Sequence, residues 1–289
     1  MSRIALGTVQ FGVPYGIANE VGQVSRAEAK SILQQAHAHN IDTIDTAIGY
    51  GESESCLGEA GVNDFKVITK LPGIPDGCID IREWVEQQLE VSLSRLGLSK
   101  VYSLLLHRPE QLLGLTGNVL YEALKRLKEK GLVKKIGISI YSPSELELLT
   151  NNFHFDLVQA PFNVVDRRLF STGWMQRLKD SGVEIHTRSA FLQGLLLMNQ
   201  AAIPPKFLPW NGILKKWHDW LDKNNISALQ ASLRFPLSFS QVDRVVVGVD
   251  SQSQLLQILS AENDLMNVEV PNLACEDENL INPANWSNL

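Results

Sequence analysis

Disulfide chemistry has little to work with in this chain. It holds three cysteines, Cys56, Cys78 and Cys275, far apart and odd in number, with no C-x-x-C pair. That argues against a disulfide framework and against a cysteine zinc site, and it fits free thiols in a reducing cytoplasm. Basic excess is missing too. The net charge of -6 argues against nucleic acid as the main partner, since phosphate binding wants a basic face. No apolar run approaches the ~20 residues that span a bilayer. The opening "MSRIALGTVQFG" lacks the long apolar core of a signal peptide. No G-x-G-x-x-G opens a nucleotide site, so a Rossmann reading loses its main support. Histidine is sparse, six in all, and the only H-x-H is His37 and His39 inside a helical run, where residues two apart do not face one site. His107 and His186 are too few for the ligand set of a metal-dependent hydrolase, and no metal is expected.

What is present is a core-forming composition, 44% hydrophobic and 20% charged over 289 residues. Short strand-like runs recur at Ile4–Gly7, Ile41–Asp45, Lys66–Lys70, Tyr102–His107, Lys135–Ser139, Leu157–Pro161, Glu184–Arg188 and Arg244–Gly248. Segments of helical period lie between them. "SRAEAKSILQQAHAHN" opens with Ser25 and has Glu28 three residues on, the pattern of a capping box. Ser142 and Ser251 read as further helix caps. Eight strand–helix repeats without a break in composition predict an α/β fold, a (β/α)8 TIM barrel, with residues 1–289 as one domain. The stretch from Ser189 to Asp243 contains the proline-rich "NQAAIPPKFLPWNG" and reads as a long binding loop. Residues 263–289 read as a polar C-terminal tail that folds over the barrel mouth or packs loosely, with Trp286 a candidate contact.

In such a barrel the chemistry sits at the carboxyl ends of the strands. Those ends carry Asp45, Lys70, His107, Ser139, Gln159 and Arg188, with Tyr50 in a glycine-flanked loop five residues after Asp45. Taken singly, each has an ordinary explanation: a turn aspartate, a packed loop tyrosine, a solvated lysine, a rim histidine. Taken together they describe a proton relay. A tyrosine has a free pKa of ~10 and is a poor acid at neutral pH. A neighbouring ammonium stabilises its phenolate, and an aspartate keeps the ammonium charged. A histidine can then orient a carbonyl oxygen toward the phenol. The hydride of such a reduction must come from a cofactor, because no side chain supplies one.

The segments around these residues resemble the aldo-keto reductases. "DTAIGYGESESCLG" is similar to the family signature in which an aspartate and a tyrosine five apart begin a catalytic tetrad. "VITKL" and "LLLHRP" resemble its lysine and histidine strands, and "KIGIS" and "DLVQAPFNVVDR" the strands that hold the nicotinamide carboxamide. "HTRSAFLQGLL" resembles the turn around the pyrophosphate, and "RVVVGVDSQSQLLQIL" the last strand, loop and helix. The resemblance runs from about Arg3 to about Leu259. It implies Tyr50 as proton donor, Lys70 and Asp45 as its activators, and His107 as the carbonyl-orienting group. It implies Ser139 and Gln159 on the carboxamide, Arg188 where many members stack an aromatic on the nicotinamide, and Ser189, Phe191 and Gly194 along the pyrophosphate. Gly248, Ser251 and Gln254 fall at the adenosine end, while Gln10 and Trp210 join Tyr50 and His107 as candidate substrate contacts.

Three positions depart from the family pattern. Ile140 follows Ser139 where an asparagine is usual. Gly248 and Gln254 stand where lysine and arginine often meet the 2′-phosphate of NADPH, with Asp250 between them. A carboxylate there would repel that phosphate and accept hydrogen bonds from a free ribose. Gln10 stands near where many members put a substrate-facing tryptophan or methionine. NADPH is the expected cofactor, with NADH the alternative. The expected activity is reduction of an aldehyde or ketone, sugar-related compounds included, by a cytoplasmic monomer or weak homo-oligomer with no nucleic-acid or membrane partner. The other reading is a nicotinamide-binding sensor or regulatory subunit on the same fold, told apart by whether any carbonyl is turned over.

Overall fold

The computed structural model describes residues 2–263 and 269–289. Eight strands, β1 (Ile4–Gly7), β2 (Thr43–Asp45), β3 (Lys66–Leu71), β4 (Val101–Leu106), β5 (Val133–Ser139), β6 (Leu157–Pro161), β7 (Glu184–Arg188) and β8 (Arg244–Gly248), follow one another around a closed barrel. Every neighbouring pair is parallel, and β1 closes on β8 through Leu6 opposite Val247 and Gly7 opposite Gly248. The fold is therefore the expected (β/α)8 barrel. A strand such as β1 reads as an apolar run without alternation because both its faces are covered, by the barrel interior and by the helices. All four residues of β1 and all five of β6 are buried.

Local chemistry sets the helix ends. Ser25 caps the helix Arg26–Ala38 by accepting the Glu28 amide at 3.2 Å. The reciprocal half of the expected capping box is absent, since Glu28 Oε1 accepts the Gln252 amide at 2.6 Å and so ties this helix to the start of the last barrel helix. Asp80 caps Ile81–Leu96, which stops at Gly97 in the left-handed region, φ 66°. Ser251 Oγ accepts the Gln254 amide, as a cap should, and Ser142 Oγ accepts the Ser144 amide at 3.4 Å, although Pro143 holds the cap position of Ser144–Leu149.

The stretch from Ser189 to Asp243 is not one long loop. After several turns of 3₁₀ helix it forms two regular helices, Asn211–Asn224 and Ala228–Leu237. Leu214, Trp217 and Leu221 recur at helical spacing and are buried, and Ser227 with Gln230 forms a complete capping box. The prolines that suggest an open loop sit before the first helix, where Phe207 is nonetheless fully buried against Trp286 of the tail. The tail is docked from Pro271 on, where Arg167 donates to the Pro271 carbonyl and Leu273 is buried. Its contacts include Cys275 N–H to Val165 O and Lys206 to the Trp286 carbonyl. The start of the tail expected at 263 falls partly on residues 264–268, which lie outside the described residues.

At the amino ends of the strands the barrel is plugged by charge. Glu184 Oε2 accepts the Tyr102 hydroxyl at 2.8 Å and Lys135 Nζ at 2.5 Å, and its Oε1 faces His186 Nε2 at 2.7 Å. Beside it Asp42 pairs with Lys66 at 2.7 Å and Arg244 at 3.1 Å. Burial pushes the Glu184 carboxyl up, but the hydrogen bonds from His186 and Lys135 outweigh it and hold the group well below the usual carboxylate range.

Candidate active site

At the opposite, carboxyl ends of the strands lies a cleft of about 760 Å³, within the usual range for small-molecule sites. The tyrosine loop is drawn to it by glycines. A Cβ on Gly12 would stand 1.7 Å from the Tyr50 carbonyl oxygen, so the segment after β1 packs backbone to backbone on the Tyr50 turn. Ser53 reinforces the junction, donating to the Thr8 carbonyl at 2.8 Å. Behind it the buried carboxylate of Glu54 accepts Thr69 Oγ1 and Ser92 Oγ, pinning the following helix to β3 and its neighbour.

Asp45, Tyr50, Lys70 and His107 converge here. Lys70 Nζ is buried and donates to Asp45 Oδ1 at 2.6 Å and to the Thr46 carbonyl at 2.9 Å. The same ammonium lies 5.0 Å from the centre of the Tyr50 ring. His107 follows β4, and its ring meets that of Tyr50 edge-on, 5.7 Å between centroids at 73°. Tyr50, Asp45 and His107 line the cleft, with Lys70 just behind the wall. The Tyr50 hydroxyl has no hydrogen-bond partner among the described residues. Burial of Lys70 works against its charge, but Asp45 and then Tyr50 outweigh it and the ammonium pKa is raised. His107 is pushed down to about 4, by burial first and then by the Lys70 charge, so at neutral pH it is an uncharged imidazole.

The next strands extend the network. Gln159 Nε2 donates to Asp45 Oδ2 at 2.7 Å, and Ser139 Oγ donates to Gln159 Oε1 at 3.1 Å. Arg188, at the end of β7, donates to the Ile140 carbonyl at 2.9 Å and to Ser189 Oγ at 3.3 Å, and lies 4.8 Å from the centre of the Tyr141 ring. Asn163 donates to the Ser189 carbonyl at 3.0 Å, holding the start of a segment with positive φ at Ser189, Leu192, Gln193 and Gly194. Four such residues in six are unusual, and three carry side chains.

Ser189, Phe191, Gly194, Gly248 and Gln254 all line the cleft. Gln10 lines it too, but its amide lies over Gly248, where a Cβ would come within 2.4 Å of Nε2, so it reaches in from the β8 side. Two expected residues stand apart. Ser251 is occupied as a helix cap. Trp210 is outside the cleft wall, because its indole donates to Asp277 Oδ2 at 2.9 Å and its ring packs near Phe207. Trp286 is likewise a core residue, donating to the Leu280 carbonyl. The tail reaches the cleft instead through Pro283 and Ala284.

Sequence reasoning missed the loop after β1. Tyr15, Ala18 and Asn19 all line the cleft. Ile17 N–H donates to the Gln193 carbonyl at 3.2 Å, Gln193 Nε2 to the Tyr15 hydroxyl at 3.1 Å, and Asn19 Nδ2 to Asp250 Oδ1 at 3.1 Å. The loop thus spans from the β7 end to the β8 end. Gly16 in the left-handed region, φ 102°, was the available hint. Burial raises the Tyr15 pKa, with the nearby Tyr50 adding to it.

The residues present fit a nicotinamide dinucleotide. The cleft is large enough, and Gly194 lets the loop after β1 close over it, since a Cβ there would come 2.7 Å from the Ala18 methyl. Gln10 Oε1 is buried at the wall without a partner among the described residues, an acceptor that a ligand donor would satisfy. No group of histidine, cysteine and carboxylate side chains suited to a metal occurs among the described residues, and no helix among them is long and apolar enough to cross a membrane.

Comparison with known proteins agrees with this fold. The model of the Aldo/keto reductase family matches residues 3–271. An uncharacterized oxidoreductase of Bacillus subtilis is 23% identical over 285 residues, covering 91% of this chain and 88% of its own. A protein of Arabidopsis thaliana named "Probable voltage-gated potassium channel subunit beta" is 25% identical over 296 residues, covering 90% and 88%. Among solved structures, an aldo-keto reductase from Bacillus halodurans in its holo form has a TM-score of 0.75 at 20% identity, covering 92% and 88% of the two chains. The glycerol dehydrogenase of Gluconobacter oxydans has a TM-score of 0.70 at 19% identity, covering 93% and 88%. At such identities the solved structures speak to the fold.

Proposed function

The chain belongs to the aldo/keto reductase family of nicotinamide-dependent oxidoreductases, and from that premise we propose that it reduces an aldehyde or ketone to the alcohol with Tyr50 as the proton donor. The observation that carries this reading is the Asp45–Lys70 pair set behind the Tyr50 ring, with His107 beside it on the cleft. A bound nicotinamide cofactor supplies the hydride that reaches the carbonyl carbon. Tyr50 gives its phenolic proton to the carbonyl oxygen as negative charge develops there, and Lys70 stabilises the phenolate left behind. Asp45 keeps Lys70 charged, and Gln159 holds the far oxygen of Asp45. His107, neutral at working pH, donates one hydrogen bond to the same oxygen and aligns it.

Ser139 and Gln159 would hold the carboxamide, and Ser189, Phe191 and Gly194 the pyrophosphate. Of the two cofactors, resemblance alone favours NADPH. The wall near Gly248 and Gln254 favours NADH, because it presents the Asp250 carboxylate and no lysine or arginine among the described residues. Asn19, donating to Asp250, belongs to the same recognition surface.

Fluorescence titration with NADH and NADPH, followed by cofactor oxidation over a panel of aldehydes and ketones, tests the reading. Binding with preference for NADH, and turnover on at least one carbonyl, is expected. Failure of both nucleotides to bind would overturn it. The likeness to the Arabidopsis channel subunit supports a second reading, a regulatory subunit on the same fold. Tight binding without turnover of any carbonyl is its signature.

A further inference from the structure

Arg188 is the only lysine or arginine in the cleft wall among the described residues. Lys70 behind the wall is neutralised by Asp45, but Arg188 has no carboxylate within ion-pair distance among the described residues. Its partners, the Ile140 carbonyl, the Ser189 hydroxyl and the Tyr141 ring, are all uncharged. The carboxylate that faces it from the β5 side is Glu145, whose Oε1 is taken up by the amides of Tyr141 and Ser142. His107 faces it without charge. A guanidinium does not give up its proton in proteins, so the part of the cleft at the end of β7 carries a standing positive charge. That charge is anchored to Ile140, the residue after Ser139, beside the place assigned above to the nicotinamide carboxamide.

The reduced nicotinamide ring is neutral and the oxidised ring is a cation. We infer that Arg188 makes the site selective for the redox state of the cofactor, holding the reduced form more tightly than the oxidised one. The repulsion falls on the oxidised ring alone, and a partly closed cleft screens it less than water does. The consequence for turnover is directional. The site loads with the hydride-carrying form and expels the spent one, so release of the oxidised cofactor is fast. By the same cycle the bound couple becomes easier to reduce than the free one, by about 30 mV for each tenfold ratio of affinities.

The inference rests on the nicotinamide reading above, and calorimetric titration separates the two. The wild-type protein is titrated with NADH and with NAD⁺, alongside Arg188→Gln and Arg188→Lys. Wild type is expected to bind NADH about tenfold more tightly than NAD⁺, or better. Arg188→Gln should shrink the ratio to about threefold or less, chiefly by tightening NAD⁺, while Arg188→Lys keeps most of it. A wild-type ratio near one overturns the inference and leaves the nicotinamide reading intact. An unchanged ratio in Arg188→Gln does the same. Should Arg188→Gln lack a cooperative melt, Arg188→Met takes its place. Binding of neither form by the wild type overturns the nicotinamide reading and this inference with it.

Discussion

The two ends of the barrel hold the same four kinds of side chain. At the mouth stand Asp45, Lys70, Tyr50 and His107; at the floor stand Glu184, Lys135, Tyr102 and His186. At the floor the groups converge on one carboxylate: the phenol and the ammonium both donate to Glu184, and the imidazole faces its other oxygen. At the mouth the carboxylate and ammonium are likewise paired, but the phenol and imidazole are turned to a cleft. Composition does not distinguish the sets. What distinguishes them is where the phenol and imidazole are directed: at the floor onto the Glu184 carboxylate, and at the mouth into space a ligand can fill.

The largest expected difference lies in the lysines. Lys70→Met strands Asp45 as a buried unpaired charge, for which a cost of about 3–5 kcal/mol is typical. It should also lower kcat at least ~100-fold through loss of phenolate stabilisation. Lys135→Met leaves Glu184 with His186 and Tyr102, so denaturant melts should show less than half that cost and assays an unchanged kcat. Equal effects of the two changes on kcat would erase the distinction between the sets.

Acid titration separates the ends by window. His107 has a folded pKa of about 4 against 6.5 unfolded, so between these values the unfolded chain binds a proton the folded one refuses. Its neutral burial is therefore fully tolerated above pH 6.5 and increasingly destabilising as pH falls toward 4. Glu184 is depressed below its ordinary 4.5, so its contribution is present above that value and lost as pH falls below it. Melting temperatures of His107→Gln should fall less than wild type between pH 6.5 and 4. Those of Glu184→Gln should differ in pH dependence only below 4.5. The smallest effect is that of Tyr102→Phe, which removes one hydrogen bond to a charged partner, with expected stability loss of about 1–2 kcal/mol in urea melts and no change in turnover.

The mouth was legible in the sequence and the floor was not. Asp45, Lys70, His107 and Ser139 sit at or next to strand ends and Gln159 within β6, and apolar runs locate such strands well; all eight strands appear within a few residues of where the runs place them. Tyr102, Lys135, Glu184 and His186 belong to three strands scattered over more than eighty residues. Only the register of a closed barrel brings them together. The prolines around 204–209 obscured the helices that follow, and Trp210 looked like a cleft residue because its partner Asp277 lies in a distant tail. The path of Tyr15 to Asn19 across the mouth depends on two hydrogen bonds with Gln193 and one with Asp250, which leave no periodic mark.

The central claim concerns the Tyr50 hydroxyl, and single-turnover mixing of NADH-loaded protein with a reactive aldehyde tests it most directly, comparing wild type with Tyr50→Phe. The expected result is a loss of at least ~100-fold in the rate of NADH oxidation, with NADH affinity within twofold of wild type as an order-of-magnitude tolerance. A Tyr50→Phe protein that oxidises bound NADH at close to the wild-type rate would contradict the account.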